Sequence, residues 1–377
     1  MPPTPPVITS AELLQALENL APGDFVALDT EFMRESTYFP KLCLIQAANS
    51  GACAVLDPLT LPDLAPLWQF LGDRRRTKVL HAARQDLEVL ATATRDPTAP
   101  GPIFDTQIAA ALLGYPAQIG YGSLVAERLG HTLAKGHTRT DWSRRPLTPE
   151  QLQYAEDDVR YLAPLYLDLQ AALQAAGRLE WLYEETRELE GLDLHGADPD
   201  AAWRRLKGLE RLQPQQRATL KLLAQWREAA AIRHDKPRGW ILADDALREI
   251  AERMPGTTQD LEAVGSVPAG VVRRRGAEIL ALIERGRAAA VNEVAASMPT
   301  RPQPQQVALV TKLMGLARET ALHAKINAEL LATRRDVEQL VFSRRTEHLL
   351  SGWRREIIGE PLVAAARESG MEIEESG

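Results

Sequence analysis

Two acidic residues follow the first strand-like segment of this chain, close enough to act together. Phe25 to Leu28 is an apolar run typical of a buried strand, and Asp29 and Glu31 come directly after it. Residues two apart in extended backbone project from the same face. An isolated Asp-x-Glu is most often a solvated strand end, but two carboxylates on one face can also form half of a metal site.

Two further elements favour the metal site. Asp86 follows a strand pattern at Lys78 to Leu80 and lies in the first turn of the next predicted helix. Tyr154 and Asp158 are four residues apart in a long predicted helix, and hence on one helical face. A phenol and a carboxylate can therefore converge on the same cleft as the first pair of acids.

Four clustered carboxylates would repel one another, and their pKa values would rise unless cations neutralised them. Ligand sets made only of oxygen suit Mg²⁺ or Mn²⁺ rather than Zn²⁺. Two such ions about 4 Å apart can activate a water and stabilise the charge of an in-line displacement at phosphorus. The acidic set therefore predicts two divalent ions and phosphoester chemistry.

Neighbouring polar residues are interpreted separately. Asp157 is turned about 100° from Asp158 on the helix, so we assign it to the outer face. Asp105 precedes a helical pattern and is predicted to be an N-cap. His81 could contact substrate or be a buried structural histidine, and the sequence leaves both interpretations open.

The elements that position these residues indicate an α/β domain followed by helices. Strand and helix patterns together predict a mixed central sheet. The strand patterns are at 25–28, 42–45, 52–56 and 78–80, and the helical patterns are at 83–93, 106–113 and 148–175. Turn formers at 191–200 indicate a linker, and everything beyond them has a helical pattern.

The helical part contains two divergent copies of one unit, separated by a break at 297–302. Gln213-Pro214-Gln215-Gln216 recurs as Gln303-Pro304-Gln305-Gln306, and Arg227-Glu228 recurs as Arg318-Glu319, in the same order. Chance matching in Ala- and Leu-rich helices is the alternative, and the matched Gln-Pro-Gln-Gln outweighs it.

Composition sets outer limits on the function. A chain of 377 residues predicts two or three domains. Its two cysteines, Cys43 and Cys53, exclude a disulfide framework and a zinc cluster of cysteines. Neither a membrane-length apolar run nor a signal peptide is present, so a cytoplasmic location is expected. The net charge of −7 argues against nucleic acid, but local basic stretches such as 135–145 and 273–275 permit it.

Three segments together resemble the exonuclease motifs of the DEDD superfamily, in its tyrosine-containing branch. Gln153 stands where the histidine branch has its histidine, five residues before the last Asp. Within the tyrosine branch the chain resembles the ribonuclease D family, and its helical part resembles the helicase-and-RNase-D C-terminal (HRDC) domain. The motifs are Leu28-Asp29-Thr30-Glu31-Phe32, His81-Ala82-Ala83-Arg84-Gln85-Asp86 and Tyr154-Ala155-Glu156-Asp157-Asp158-Val159-Arg160-Tyr161-Leu162, with support from Leu44-Ile45-Gln46, Phe104-Asp105-Thr106-Gln107, 135–147, Trp226-Arg227-Glu228 and 235–242.

The resemblance implies a fold and a domain order. An α/β, ribonuclease H-like exonuclease domain with a mixed central sheet is expected at 1–190, followed by two all-α HRDC-type domains. A linker is expected at 191–208, the first HRDC domain at 209–292, and a second, divergent HRDC-like domain at 293–377. In the second copy, Ile326-Asn327-Ala328 replaces the charged loop of the first, so we expect that copy to close against the nuclease domain.

The resemblance also implies a metal-dependent 3′→5′ exoribonuclease that releases 5′-mononucleotides. The expected partner is RNA with a free 3′ end, chiefly precursor tRNA and other small structured RNAs, and neither a membrane nor an oligomer is required. A DNA exonuclease of repair type and a non-catalytic RNA-binding scaffold are the alternatives. The complete acidic set speaks against the scaffold.

Carried over to this sequence, the resemblance implies a role for each site residue. Asp29, Glu31 and Asp158 would hold the ion that activates water, and Tyr154 would orient the water. Asp29 would also hold the second ion, with Asp86 as its direct or water-mediated ligand. Lys236, Arg238 and Trp240 form a basic loop with an aromatic residue that could meet phosphate and base. The full set of candidate RNA contacts is Thr30, Phe32, Gln46, His81, Gln85, Lys135, Arg145, Lys236, Arg238 and Trp240.

Overall fold

The chain divides into two compact units in a computed structural model that describes residues 6–96, 100–133, 140–190, 198–288 and 303–371. The first unit comprises residues 1–33, 42–194 and 301–377, and the second comprises residues 34–41 and 195–300. Within the described ranges, none of the helices combines the length and the apolar character needed to cross a bilayer.

A five-stranded mixed sheet lies at the centre of the first unit, as the sequence predicts. Its strands are β1 (Phe25–Met33), β2 (Lys41–Ala48), β3 (Cys53–Leu56), β4 (Thr77–Leu80) and β5 (Ile103–Asp105). The order is β3-β2-β1-β4-β5, with β4 parallel to both β1 and β5 and with β2 antiparallel to β3. The sequence does not predict β5, because three residues are too few to show a period of two.

In the described residues before 191, the first unit has eight helices. They are α1 (Ser10–Leu20), α2 (Ala65–Gly72), α3 (Arg84–Thr94), α4 (Thr106–Leu112), α5 (Tyr121–Leu129), α6 (Pro149–Arg160), α7 (Leu162–Ala175) and α8 (Leu179–Glu190). Alternate residues of β1 enter two different cores. Val26 and Leu28 pack with α1, α2 and α3, whereas Phe25 and Ala27 pack with α4 to α8. The sheet is therefore covered on both faces, and β1 lies between them.

The predicted long helix at 148–175 is wrong in one respect, because it consists of two helices that meet at Tyr161. Pro164 lies in the first turn of the second helix, α7. Because proline has no backbone N–H, it cannot donate a hydrogen bond to the carbonyl group four residues earlier. The first helix, α6, begins at a capping box in which Thr148 and Gln151 bond each other's backbone, with Pro149 at the first helical position. Tyr154 and Asp158 both lie on this first helix.

The second unit is a helical bundle. Its helices are α9 (Pro214–His234), α10 (Arg238–Ile241), α11 (Asp244–Arg253), α12 (Thr258–Glu262) and α13 (Ala269–Ala288). A 3₁₀ helix at Pro199–Arg205 precedes them and buries Ala202 in the same core. The described part of the predicted linker is therefore packed and helical, and the domain boundaries themselves stay predictions.

Residues 34–41, which connect β1 to β2 along the chain, belong to the second unit. The backbone N–H groups of Tyr38 and Phe39 donate to Asp235 Oδ1 at 2.9 and 3.0 Å. The Tyr38 hydroxyl donates to Glu228 Oε1 at 2.5 Å, and Arg238 lies over the Tyr38 ring. The first helical copy therefore holds this connecting segment by specific polar contacts.

The predicted internal repeat is confirmed. After residue 302 the first unit continues with α14 (Pro304–Ala324), α15 (Ala328–Leu331) and α16 (Arg334–Ser343), which contain 21, 4 and 10 residues, as do α9, α10 and α11. The repeated Gln-Pro-Gln-Gln forms the same capping box at the start of α9 and of α14. The copies diverge afterwards, since the second ends in a π-helical turn at Arg355–Gly359 and in α17 (Glu360–Glu368).

The second helical copy packs against the nuclease part of its unit, as the sequence suggests. Ile326 is buried, and Asn327 donates from its backbone to the Ala111 carbonyl at 2.9 Å and from Nδ2 to the Tyr115 carbonyl at 3.0 Å. These are the positions that carry the charged loop in the first copy. The loss of charge there is explained, because a buried loop must satisfy its polar groups within the protein.

An aromatic stack adds to the same interface. The ring of Trp353 lies 4.9 Å from that of Trp181 on α8, with an angle of 11° between the rings, and its Nε1 donates to Glu185. Arg354 pairs with the same carboxylate. We expect Trp353→Ala to lower the free energy of unfolding by about 3 kcal/mol, because a large side chain leaves a packed interface. Urea unfolding of the full chain measures this change, and the exposed Leu322→Ala should leave it unaltered.

Candidate active site

Three carboxylates meet beside the sheet. Asp29 and Glu31 project from one face of β1, and Asp158 reaches them from α6. Each offers an oxygen atom, and these three atoms all lie within 4.8 Å of one another. The two sequence spacings therefore place the side chains together, although β1 extends to Met33 and does not end before the acids.

Asp86 is the fourth member of the acidic set. It lies in the first turn of α3, with only 8% of its surface exposed. The Thr30 hydroxyl donates to Asp86 Oδ1 at 2.6 Å, which fixes the carboxylate beside β1. Its negative charge raises the pKa values of Asp29 and Glu31, so the four acids share one electrostatic environment.

The pKa values of the cluster are raised chiefly by burial and then by neighbouring carboxylates, which include Asp157 beside Asp158 and Asp105 beside Asp86 as well as the members of the cluster. Desolvation, followed by the charges of Asp158 and Asp86, raises the pKa of Glu31 to about 8. Burial raises the pKa of Asp158 to about 7 and that of Asp86 to about 6, and it holds the pKa of Asp29 well above its usual range. A cation that binds to such a cluster stabilises it, because the positive charge offsets the repulsion between the carboxylates.

Tyr154 lies on the same face of α6 as Asp158 and donates a hydrogen bond to it. Burial raises the pKa of the Tyr154 phenol, and the charges of Asp158, Glu31 and Asp29 raise it further. The phenol therefore keeps its proton at neutral pH and acts as a hydrogen-bonding group. The four-residue spacing predicts this arrangement correctly.

Asp105 is an N-cap, as predicted, and it has a second task. Its carboxylate accepts from the backbone N–H groups of Gln107 and Ile108 at the start of α4. It also accepts from Ala82 at 3.1 Å and Ala83 at 2.8 Å, in the turn that leads into α3. Ala82 has a φ of 57°, an unfavourable conformation that these bonds help to hold. Asp105 thus fixes the approach of the helix that carries Asp86.

Asp157 lies outside the acidic cluster. Gln153 donates to its Oδ1 at 3.0 Å, and the side chain is 23% exposed. The assignment to the outer face therefore holds in part, because Asp157 is turned away from the cluster but is not fully solvated.

Tyr121 on α5 was missed by sequence reasoning. Its hydroxyl donates to the Asp157 carbonyl at 3.1 Å. Burial raises the pKa of Tyr121, and the charges of Asp158 and Asp29 raise it further. A second neutral phenol therefore borders the acidic cluster. No local spacing could have indicated it, because α5 and α6 are joined by a long connection.

Two of the candidate RNA contacts, Gln46 and His81, lie inside the protein. Gln46 on β2 is fully buried, so it has no surface from which to reach RNA. Both ring nitrogens of His81 are occupied, Nδ1 by Thr106 Oγ1 at 2.9 Å and Nε2 by the Ile119 carbonyl at 3.0 Å. Of the two interpretations that the sequence leaves open for His81, the structural one fits the contacts.

Other candidates on the nuclease part also have internal partners. Thr30 uses its hydroxyl for Asp86, and Phe32 is partly buried against the core beneath α1, α2 and α3. Arg145 binds Asp57 through two nitrogens instead of facing solvent. Gln85 is exposed beside Asp86. Lys135 lies outside the described residues.

The three candidate residues in the basic loop of the first helical copy differ in their contacts: Arg238 pairs with another residue of the protein, whereas Lys236 and Trp240 are exposed. Arg238 binds both oxygens of buried Glu228, at 2.5 and 2.7 Å, so its guanidinium is held by an internal partner although 34% of the side chain is exposed. Lys236 and Trp240 are exposed, with the Lys236 ammonium 5.7 Å from the centroid of the Trp240 ring. Trp240 is 63% exposed. Lys236 and Trp240 are therefore accessible to a phosphate or a base of RNA.

The Thr30 contact leads to a test of the site. We expect Thr30→Val to move the metal dependence of activity to concentrations about ten- to a hundredfold higher, because Thr30 orients the predicted metal ligand Asp86 and groups in that position have effects of that size. Thr30→Ser, which keeps the hydroxyl, should restore the original dependence. Titration of activity with Mg²⁺ or Mn²⁺ measures the shift, and an unchanged midpoint for Thr30→Val would contradict it.

Comparison with known proteins adds the family. Residues 6–174 match the family described as 3′-5′ exonuclease, and residues 216–283 match the HRDC domain. Ribonuclease D of Nitrobacter hamburgensis is 38% identical over 361 residues, which cover 95% of this chain and 94% of that protein. The chain belongs to the ribonuclease D family.

The relatives in Escherichia coli agree in sequence and in structure. Ribonuclease D of that organism is 35% identical over 374 residues, covering 94% of this chain and 96% of that protein. The crystal structure of Escherichia coli RNase D, described as an exoribonuclease involved in structured RNA processing, matches 96% of this chain and 98% of its own with a TM-score of 0.85 and 34% identity. This member of the ribonuclease D family is a 3′→5′ exoribonuclease that depends on divalent metal ions.

Proposed function

We propose that Asp29, Glu31, Asp86 and Asp158 hold two divalent ions, and that Tyr154 orients the water that attacks the terminal phosphodiester of an RNA. The approach of three carboxylate oxygens within 4.8 Å carries this proposal. Burial of these acids is unfavourable unless a cation balances their charge. Since every donor is a carboxylate oxygen, Mg²⁺ and Mn²⁺ are the ions that the site fits best.

The side chains would divide the work by position. Asp29, Glu31 and Asp158 would hold one ion. Asp29 would also hold the other, with Asp86, oriented by the Thr30 hydroxyl, as its direct or water-mediated ligand. When bound, the ions would supply Lewis-acid stabilisation of the attacking and leaving oxygens. Displacement by water breaks the bond between phosphorus and the 3′ oxygen of the preceding nucleotide. The released nucleotide therefore carries a 5′-phosphate.

Tyr154 would act by hydrogen bonding and not as a base. Its raised pKa keeps the hydroxyl protonated, so the phenol cannot remove a proton from water at neutral pH. It can, however, hold the water in line with the phosphorus while it is itself oriented by Asp158. Such positioning contributes to rate because the attacking atom must be close and aligned.

We propose precursor tRNA and other small structured RNAs as the substrates, acted on by a monomer. The description of the Escherichia coli relative as an enzyme of structured RNA processing supports this substrate class. Among the described residues, exposed Gln85, Lys236 and Trp240 remain candidate RNA contacts, and Lys135, outside them, stays a prediction. Lysine meets phosphate, and an exposed indole can stack on an unpaired base.

The experiment compares two substrates of matched sequence. Purified protein with Mg²⁺ or Mn²⁺ is given a tRNA bearing extra 3′ nucleotides and the corresponding DNA, and products are resolved at single-nucleotide resolution. We expect stepwise loss of the extra nucleotides from the RNA, with release of 5′-mononucleotides. Faster degradation of the DNA would overturn the proposed substrate, and activity that persists in EDTA would overturn the proposed ions.

A further inference from the structure

Arg145 is fully committed to contacts within the nuclease part. Its guanidinium binds both oxygens of Asp57, Nε to Oδ2 at 2.5 Å and Nη2 to Oδ1 at 2.7 Å. The remaining N–H groups donate to the carbonyls of Trp142, Arg144 and Cys43, each at 2.8 Å. These five bonds use all five donors of an arginine side chain. Arg145 therefore has no donor left for an RNA phosphate.

These contacts attach one loop to the edge of the sheet. Cys43 belongs to β2, and Asp57 follows β3 directly. Asp57 is only 1% exposed, and its Oδ1 also accepts from the Leu59 backbone at 3.0 Å. Arg145 itself belongs to the loop that leads into α6. The loop before α6 is thereby fastened to two strands through a nearly buried, bidentate ion pair.

The loop carries an aromatic residue into the interior. Trp142 is only 2% exposed and packs in a small core with Cys43, Val55 and Ala155. The centroid of its ring lies 6.0 Å from that of Tyr154, with 34° between the two rings. The indole thus forms a wall against which the Tyr154 ring rests.

We propose that Arg145 and Trp142 are positioning residues for Tyr154. Arg145 anchors the loop, Trp142 limits the rotation of the Tyr154 ring, and the phenol is held on Asp158. This inference rests on the proposed role of Tyr154 in orienting water. Phenol rings can rotate about two side-chain bonds, so a packed neighbour is needed to select one orientation. This arrangement would hold the Tyr154 hydroxyl in its orientation before substrate binds.

The first test separates positioning from RNA binding. We expect Arg145→Met to lower kcat by about ten- to a hundredfold while KM stays within about twofold, since a misplaced group costs rate without weakening binding. Arg144→Met is the matched control, because Arg144 is a neighbouring arginine with 84% of its side chain exposed. It should keep both constants. An increase in KM with unchanged kcat for Arg145→Met would overturn the proposal and indicate an RNA contact.

A second pair of variants avoids leaving the buried carboxylate of Asp57 unpaired. Trp142→Ala removes the indole that packs against Tyr154, and Trp142→Phe keeps an aromatic ring there. Neither variant replaces Arg145 or Asp57, which pair in the native chain. We expect Trp142→Ala to reduce kcat as Arg145→Met does, and Trp142→Phe to recover most of it. Equal loss of kcat in the two Trp142 variants, with thermal unfolding unchanged, would contradict the positioning role.

A double-variant cycle tests whether the effect passes through Tyr154. If it does, Trp142→Ala should lower kcat in the native chain but hardly at all in a Tyr154→Phe chain, because the hydroxyl to be positioned is already absent. Losses that multiply in the double variant would overturn the inference while leaving the role of Tyr154 intact. Full activity of Tyr154→Phe alone would overturn the proposed role of Tyr154 itself.

Discussion

Replacing Asp158 by Asn is expected to abolish the exonuclease activity while making the metal-free protein more stable. Asp158 is one of three carboxylates whose oxygens lie within 4.8 Å, and it is bonded to Tyr154. A bound ion supplies several kcal/mol of transition-state stabilisation, and about 4 kcal/mol corresponds to about a thousandfold in rate. We therefore expect kcat to fall by about that factor or more.

The expected change in stability has the opposite sign. Burial and neighbouring charges raise the pKa of Asp158 to about 7, which means that its ionised form is destabilised by folding. A neutral amide removes that cost above neutral pH in EDTA. The melting temperature without metal should therefore rise by a few degrees at pH 8, and its increase on adding Mg²⁺ should shrink.

Asp157→Asn is the matched control for this experiment. The residue is adjacent in sequence, but it is bonded to Gln153 and lies outside the cluster. It should keep its activity and should still be stabilised by metal, although removal of its charge lowers the pKa of Asp158. Retention of activity in Asp158→Asn would remove Asp158 from the proposed site, and a lower melting temperature without metal would contradict the electrostatic argument.

The sequence predicts the acidic cluster because its members have short-range spacings. Asp29 and Glu31 share a strand face, and Tyr154 and Asp158 share a helical face, so each pair can be recognised from the geometry of one element. Asp86 adds the third element. The resemblance to known motifs then joins the three elements, which local periodicity alone cannot do.

Side-chain partners between distant elements were not predictable in the same way. Thr30 and Arg145 were both expected to contact RNA, yet their partners Asp86 and Asp57 lie 56 and 88 residues away in sequence. The sequence alone does not show whether a polar residue in a motif binds substrate or forms a hydrogen bond with another residue of the protein. Only packing distinguishes the two, because it decides which donors are satisfied within the protein.

Some of the elements missed from the sequence did carry a local signal. Helix α1 begins at a capping box formed by Thr9 and Glu12, a pattern that is legible in sequence. The break at Tyr161 is a different case, because apolar periodicity continues across it and only Pro164 indicates it. Helical periodicity therefore shows that Tyr154 and Asp158 share one helical face. It does not show where the helix ends.

The second large effect is expected in the pH dependence of metal-free stability. The folded-state pKa values of Glu31, Asp158 and Asp86 are raised to about 8, 7 and 6, above the values near 4 of an unfolded chain. At intermediate pH the folded protein therefore holds protons that the unfolded chain has released. Stability contributed by this cluster is present at low pH and is lost as the pH rises from about 4 to about 8.

Divalent ions should reverse this loss, because the ionised carboxylates become ligands. At pH 5.5 an ion must displace protons from the cluster, whereas at pH 8 most of them have gone, so affinity increases with pH. Metal at about a hundred times its dissociation constant should raise the free energy of unfolding by about 2.7 kcal/mol. This corresponds to a melting temperature about 5–10 °C higher for the unit that carries the site. Differential scanning calorimetry in EDTA and in Mg²⁺ or Mn²⁺, at both pH values, measures the difference. A metal-induced shift that is equal at the two pH values, or larger at pH 5.5, would contradict the raised pKa values and with them the argument that the buried acids are stabilised by a cation.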